Sequence, residues 1–320
     1  MPNYNSFFQA QQQLADIEAI DYFFAKEMLT VLKELNGLSS EQEQILSHIF
    51  FALSISLREG HTCLPLTELA QKHWAVAFDE QGLCSHQGFM FPEMKALLDV
   101  LAVFDLSSNA QHPIVFESDC VYIRRYYQFE QTLMKEFNER STHRLPISAT
   151  ELSDVIQQLF PPSANDLVTD IDWQKIAVAN AMNKNFTVIA GGPGTGKTYT
   201  VTKLLAALVM LNDIEASNAS NHKALEIALV APTGKAAQRL SESIINAVSG
   251  FSTLISEHVL AAIPTEAKTI HRLLGVIPNS PNFRYNQNNL LSCDVLLIDE
   301  VSMVDLPMMT RIFRALKKSA

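Results

Sequence analysis

The segment Gly191-Gly192-Pro193-Gly194-Thr195-Gly196-Lys197-Thr198 constrains the fold more than any other part of this sequence. It fits G-x-x-x-x-G-K-[ST], with an apolar run before it (Phe186 to Ala190, FTVIA) and a helix-forming run after it (Lys197 to Leu211). Glycines let such a loop wrap until its backbone N–H groups point inward, and the helix amino terminus adds the positive end of its dipole. The expectation is a nucleotide-binding loop in which Lys197 reaches the β- and γ-phosphates and the Thr198 hydroxyl ligates Mg²⁺. A buried strand is expected at Phe186–Ala190, followed by further short apolar runs at Ile227–Ala231 (IALVA) and Val295–Ile298 (VLLI), with helical sequence between them. That alternation predicts an α/β domain with a parallel sheet covered on both faces.

The third run ends in two carboxylates, Asp299 and Glu300. Ligands of open parallel sheets gather at the carboxyl ends of the strands. Beside a phosphate loop, Asp299 is the candidate to hold Mg²⁺ and Glu300 to orient or deprotonate an attacking water, so hydrolysis is favoured over mere binding. Lys197, Asp299 and Glu300 are thus the catalytic candidates, and Thr198 and Asp299 the metal ligands.

Upstream, residues 7 to 156 carry mostly helical spacing, for example Ile17, Ile20, Phe23, Phe24 and Met28. Exceptions are an extended exit after Gly60–Leu66 and a small hairpin, Ile114–Phe116 with Val121–Ile123, about Ser118-Asp119. Phe160-Pro161-Pro162-Ser163-Ala164-Asn165 breaks the pattern and sets the expected boundary between a mainly helical domain, 1–160, and the nucleotide-binding domain, 161–320.

Charge separates the same halves. The net −10 argues against a protein that coats nucleic acid by bulk electrostatics, but residues 1–150 hold 10 Lys+Arg against 19 Asp+Glu, and residues 151–320 hold 14 against 15. A local basic groove therefore remains open in the second half. No apolar run approaches the roughly 20 residues that span a bilayer, and the first residues lack a basic start and apolar core. Cys63, Cys84, Cys120 and Cys293 are far apart in sequence with no C-x-x-C pair, which suits reduced, mostly buried thiols and a cytoplasmic setting.

Three further segments carry polar groups worth following. Pro232, Thr233 and Lys235, in APTGKAA (231–237), offer N–H and cationic donors suited to a phosphodiester backbone, or make a plain strand-to-helix turn. His271 and Arg272, in TIHRLLG (269–275), are candidates for DNA contact or for packing. Gln174 precedes the first strand, and its amide can both donate to and accept from an adenine edge. From the residues alone both readings of each stay open.

Taken together and in this order, Gln174, GGPGTGKT, APTGKAA, TIHRLLG and LLIDEVSMVDLPMM (296–309) resemble superfamily-one helicases of the five-prime to three-prime type, and within them the RecD family, the alpha subunits of exodeoxyribonuclease V. GHTCLPL (60–66) and the region from Val121 to Leu133 extend the resemblance into the first half. It implies a RecA-like P-loop motor domain and ATP with Mg²⁺ as cofactors. Adenine contact falls to Gln174, the phosphate cradle to residues 191–198, and single-stranded DNA contact to Pro232, Thr233, Lys235 and His271. It further implies assembly with RecB and RecC, action on single-stranded and duplex-end DNA, and a role in double-strand-break repair and recombination. The acidic first half fits docking on a protein partner more than on DNA.

The pattern also departs from the family. Tyr199 stands where a smaller residue is usual. The Gly-Asp-x-x-Gln segment, the arginine finger and the second motor domain are missing from these 320 residues, and in RecA-like cores the next strand lies between the Lys197-loop strand and the Asp299 strand. The expectation is therefore an amino-terminal portion of a larger motor, with an incomplete sheet. The rival readings are an assembly and nucleotide-binding module without translocation, and, more remotely, a small-molecule kinase.

Overall fold

A computed structural model of the chain describes residues 4–33, 37–142, 147–161, 171–192, 194–218 and 223–320. Two compact units are present, 1–131 and 132–320, and the division falls within one long helix.

In the first unit, α1 (Phe7–Gln13), α2 (Ala19–Lys33) and α3 (Ser40–Arg58) precede the short strand β1 (Leu64–Pro65). Helix α3 starts where Ser39 and Gln42 close a reciprocal capping box, satisfying two otherwise orphan amides. Its Leu46, Ile49, Phe50 and Leu53 are fully buried against Ala25, Leu29 and Leu32 of α2. Beneath this layer Asp21 is completely buried, accepting from Ser54 Oγ (2.6 Å), from Arg58 Nη2 (3.0 Å) and from the Glu18 amide (2.9 Å).

Next come β2 (His73–Phe78), β3 (Cys84–Met90), α4 (Met94–Leu101), β4 (Ile114–Glu117) and β5 (Cys120–Ile123). Strands β4 and β5 form the expected hairpin, with Ser118 and Asp119 both at positive φ, as a two-residue primed turn requires. The hairpin β2–β3 is a correction to the helical spacing read across this region, where only β4–β5 was expected as a hairpin. Trp74, Val76 and Phe78 alternate with small residues, and a loop containing Gly82 at φ +77° turns the chain. All four cysteines are free, but only Cys293 is buried; Cys84 is exposed and Cys63 and Cys120 are half-buried.

The second unit begins within α5 (Arg124–Thr142) and continues through α6 (Ala149–Leu159), α7 (Trp173–Met182), α8 (Lys197–Asn218), β6 (Ile227–Ala231), α9 (Gly234–Gly250), α10 (Glu257–Ala261), β7 (Lys268–Thr269), α11 (Ile270–Leu274), β8 (Val295–Ile298) and α12 (Leu306–Ala315). Helix α6 and Phe160 pack into the core of this unit, so the junction near 160 does not coincide with the division at 131. Pro162 to Asn165 of that junction lie outside the described residues. Helix α8 continues past the apolar run that ends at Leu211, through the polar residues from Asp213 to Asn218.

Parallel pairing sets the sheet order β7-β6-β8, with Ile227 opposite Val295, Val230 opposite Ile298 and Ala231 opposite Thr269. Period-two alternation covers both faces. Leu229, Val295 and Leu297 face a core shared with α6 to α10, while Val230, Leu296 and Ile298 face one shared with α11 and α12.

Phe186–Ala190 is the main correction: it forms no strand and is not buried, with Val188 68% exposed. Only its first residue is well held, the Phe186 ring stacking on Phe137 at 4.8 Å and meeting Phe313 edge-on. A strand needs a hydrogen-bonded neighbour, and among the described residues nothing pairs with this segment or with the outer edge of β8. No described helix is long and apolar enough to cross a membrane.

Candidate nucleotide-binding site

Two glycines give the loop its shape. Gly194 and Gly196 both adopt φ +76°, a region that costs other L-residues roughly 1–2 kcal/mol. At Gly191 and Gly196 a Cβ would also displace a neighbouring side chain: it would lie 2.7 Å from Thr195 Oγ1 and 2.6 Å from Gln174 Nε2, respectively. Pro193 lies outside the described residues.

Side chains close the loop on itself. Thr195 Oγ1 donates to the Gly192 carbonyl at 2.9 Å, and Lys197 Nζ donates to the carbonyls of Gly191 (2.7 Å) and Gly192 (3.0 Å). The ammonium is thereby held within the loop, where an anion would otherwise meet it. Gln174, from the first turn of α7, donates to the Thr195 carbonyl at 3.3 Å. The residue expected to read adenine is therefore joined directly to the phosphate loop. Helix α8 starts at Lys197, with the Thr200 amide bonded to the Gly196 carbonyl, so the positive end of a 22-residue helix faces the loop. The hydroxyl of Thr198 and the carboxylate of Asp299 are hard oxygen donors of the kind Mg²⁺ prefers.

Asp299 directly follows β8, its amide bonding the Val230 carbonyl at 2.9 Å, and Glu300 takes the left-handed conformation, φ +49°, before a short 3₁₀ turn. A non-glycine residue there is strained by about 1–3 kcal/mol, and such strain gathers at functional sites. Because β6, β7 and β8 are parallel, their exits share one edge of the sheet. Thr233 caps α9 after β6, accepting from the Ala236 amide at 3.2 Å, with Lys235 exposed beside it and Pro232 half-buried. Thr269 caps α11 after β7, and His271 is exposed with its ring edge-on to Phe283 at 5.8 Å. The oxygen of Thr233 thus has a local structural task, whereas Lys235 is presented to solvent.

Sequence reasoning missed Lys203. One turn after Tyr199 on α8, it is 6% exposed, with its ammonium 3.8 Å from the Phe160 ring centre, 4.9 Å from Tyr199 and 5.8 Å from Phe251. Burial among the rings lowers its pKa below the ordinary lysine value, and Asp172 opposes that shift. Tyr199 itself packs on Phe251 at 4.6 Å. The bulky residue beside the phosphate loop is thus part of an aromatic box joining α6, α8 and α9. The signal was available as the Tyr–Lys spacing of four on a helix.

Both halves of the chain are similar to known proteins. Residues 13–122 match the family model described as RecBCD enzyme subunit RecD, N-terminal domain, and residues 174–320 match an AAA domain. The RecBCD enzyme subunit RecD of Haemophilus influenzae is 36% identical over 312 residues, covering 93% of this chain and 46% of the relative. That of Mycobacterium tuberculosis is 28% identical over 290 residues, covering 91% and 45%. The ATP-dependent RecD2 DNA helicase of Deinococcus radiodurans is 37% identical over 133 residues, covering 42% and 14%. The chain spans about half the length of the RecD subunits it matches. With the amino-terminal RecD model followed by the AAA domain along one chain, the protein belongs to the RecD family.

Proposed function

We propose that this chain supplies the ATP-binding part of a DNA-dependent ATPase and helicase subunit of a RecBCD-type complex. Such a subunit works in the cytoplasm on single-stranded and duplex-end DNA in double-strand-break repair and recombination, beside RecB and RecC. The observation that carries the reading is the phosphate loop itself: two left-handed glycines, Lys197 and Gln174 all joined to one loop at a helix amino terminus. In this reading Lys197 exchanges the carbonyls of Gly191 and Gly192 for phosphate oxygens, and Gln174 holds the adenine. Thr198 and Asp299 would hold Mg²⁺, which would supply positive charge to offset that of the phosphates. Glu300 orients the attacking water. Lys235 and His271, at the strand exits, take the DNA backbone together with Pro232 and Thr233.

For the 320-residue polypeptide by itself we propose nucleotide binding without translocation. In-line hydrolysis needs stabilisation of the transferring phosphoryl charge by a further cation, and the phosphate loop here lacks a strand joining it to β8 among the described residues. An ATPase assay with and without single-stranded DNA, paired with binding of a fluorescent ATP analogue, tests both parts. Expected are binding lost in Lys197→Ala and little DNA-stimulated turnover. Strong DNA-stimulated turnover by this polypeptide, lost in Lys197→Ala, would overturn the second part; analogue binding indifferent to Lys197→Ala would overturn the first.

A further inference from the structure

On the face of the sheet covered by α11, a cavity of about 520 Å³ opens toward the amino-terminal ends of the strands. Its wall includes Glu226 and Ala228 at the start of β6 and Ser292 and Cys293 just before β8, the end opposite Thr233 and Asp299. Three cations line it: Lys268, Arg272 and Arg284. All three are exposed, and none makes an ion pair or side-chain hydrogen bond among the described residues. The single carboxylate in the wall, Glu226, is already engaged by Lys223 at 3.6 Å. A concentration of unneutralised positive charge in a chain of net −10 is a local field that favours anions.

The backbone builds this convergence. Gly275 ends α11 at φ +72°, and the chain then returns so that the Arg284 amide bonds the Gly275 carbonyl (2.8 Å) and the Tyr285 amide bonds the Leu274 carbonyl (3.0 Å). A Cβ on Gly275 would stand 2.9 Å from Arg284 Cβ, so the absence of a side chain is what lets Arg284 lie over the cavity beside Arg272. The conformation of Gly275 and the spacing of Arg272 from it, two features of the TIHRLLG segment that the nucleotide site does not use, both find a task here.

We propose that this cavity is a second anion site, distinct from the phosphate loop, that binds phosphate groups through Lys268, Arg272 and Arg284, with the Tyr285 ring forming one wall. The volume lies within the roughly 300–1,000 Å³ usual for ligand clefts, and guanidinium forks match phosphate oxygens in pairs. Free polyphosphate compounds and a nucleic-acid backbone present the same chemistry.

The test uses the full 320-residue chain carrying Lys197→Ala, which silences the phosphate loop, titrated separately with pyrophosphate and with a short oligothymidylate at low salt. At least one probe is expected to bind, and adding Arg272→Gln with Arg284→Gln to weaken it by about tenfold or more, the scale of losing two charge-assisted contacts. Lys268→Gln, at an exposed strand position, is expected to weaken the same probe independently. Binding of pyrophosphate assigns the site to free phosphate compounds, and binding of the oligonucleotide alone assigns it to a nucleic-acid backbone. If neither probe binds, or if binding ignores the arginine substitutions, the site does not exist. Because the phosphate loop is already silenced, that failure would leave the ATP-site reading untouched.

Discussion

Replacing Gly196 with alanine separates the two reasons for its presence. The backbone at φ +76° costs an alanine about 1–2 kcal/mol, and the new Cβ would lie 2.6 Å from Gln174 Nε2. Relieving that clash breaks the Gln174 bond to the Thr195 carbonyl, worth about 0.5–1.5 kcal/mol. If the loop must regain this geometry to bind, the sum of about 1.5–3.5 kcal/mol appears as about 10- to 400-fold weaker binding of a fluorescent ATP analogue. Gly192 provides the internal control, because it lacks positive φ and its Cβ would meet only a Thr195 methyl at 3.9 Å. Gly192→Ala is expected to stay within about threefold, the scale of ordinary surface substitutions. In a Gln174→Ala background the Gly196→Ala loss should shrink to its backbone share, giving a coupling of about 0.5–1.5 kcal/mol. Equal losses for Gly192→Ala and Gly196→Ala, or strict additivity with Gln174→Ala, would refute this account of the loop.

Two further predictions concern the first unit. His48 is 2% exposed, stacked on Phe89 at 3.7 Å, and burial lowers its pKa from 6.5 to about 4. Above pH 6.5 it is neutral folded or unfolded, but as pH falls toward 4 only the unfolded chain gains the proton. About 3 kcal/mol of stability should therefore drain away between pH 6.5 and 4. Denaturant melts of wild type and His48→Gln should converge over that interval, and parallel curves would exclude His48 as the cause. Arg58→Met leaves the buried Asp21 carboxylate without its cation and should cost about 3–5 kcal/mol, with most of it recovered in Asp21→Asn/Arg58→Met; a loss near zero in thermal denaturation would contradict the pairing.

How much of this was readable from residues depends on how local the determining physics is. The phosphate loop, β6, β8 and the β4–β5 hairpin were legible, since each rests on a contiguous pattern: a glycine spacing, an apolar run, a pair of turn residues. Strands β2 and β3 were not, because the small residues Ala75, Ala77 and Gly88 carry little strand preference and the pairing includes a register shift after Ala77. Phe186–Ala190 failed in the opposite direction. Its composition suits a buried strand, but strand formation is decided by a neighbour, and composition carries no record of one. The Lys203 box was hidden for a similar reason, being assembled from Phe160, Tyr199 and Phe251 on three separate elements.

The outer edge of β8 bears on how the polypeptide behaves at high concentration. A four-residue apolar strand with one row of backbone donors and acceptors unmatched among the described residues is a template onto which another copy can add. Charge at the tip of a strand is a common brake on such stacking, and here it is supplied by Asp299 and Glu300. The pair proposed to serve the metal and the water would then also keep the exposed edge soluble. Neutralising both to probe catalysis would therefore promote aggregation, so a loss of activity in Asp299→Asn/Glu300→Gln has to be read beside the sedimentation profile of the same preparation.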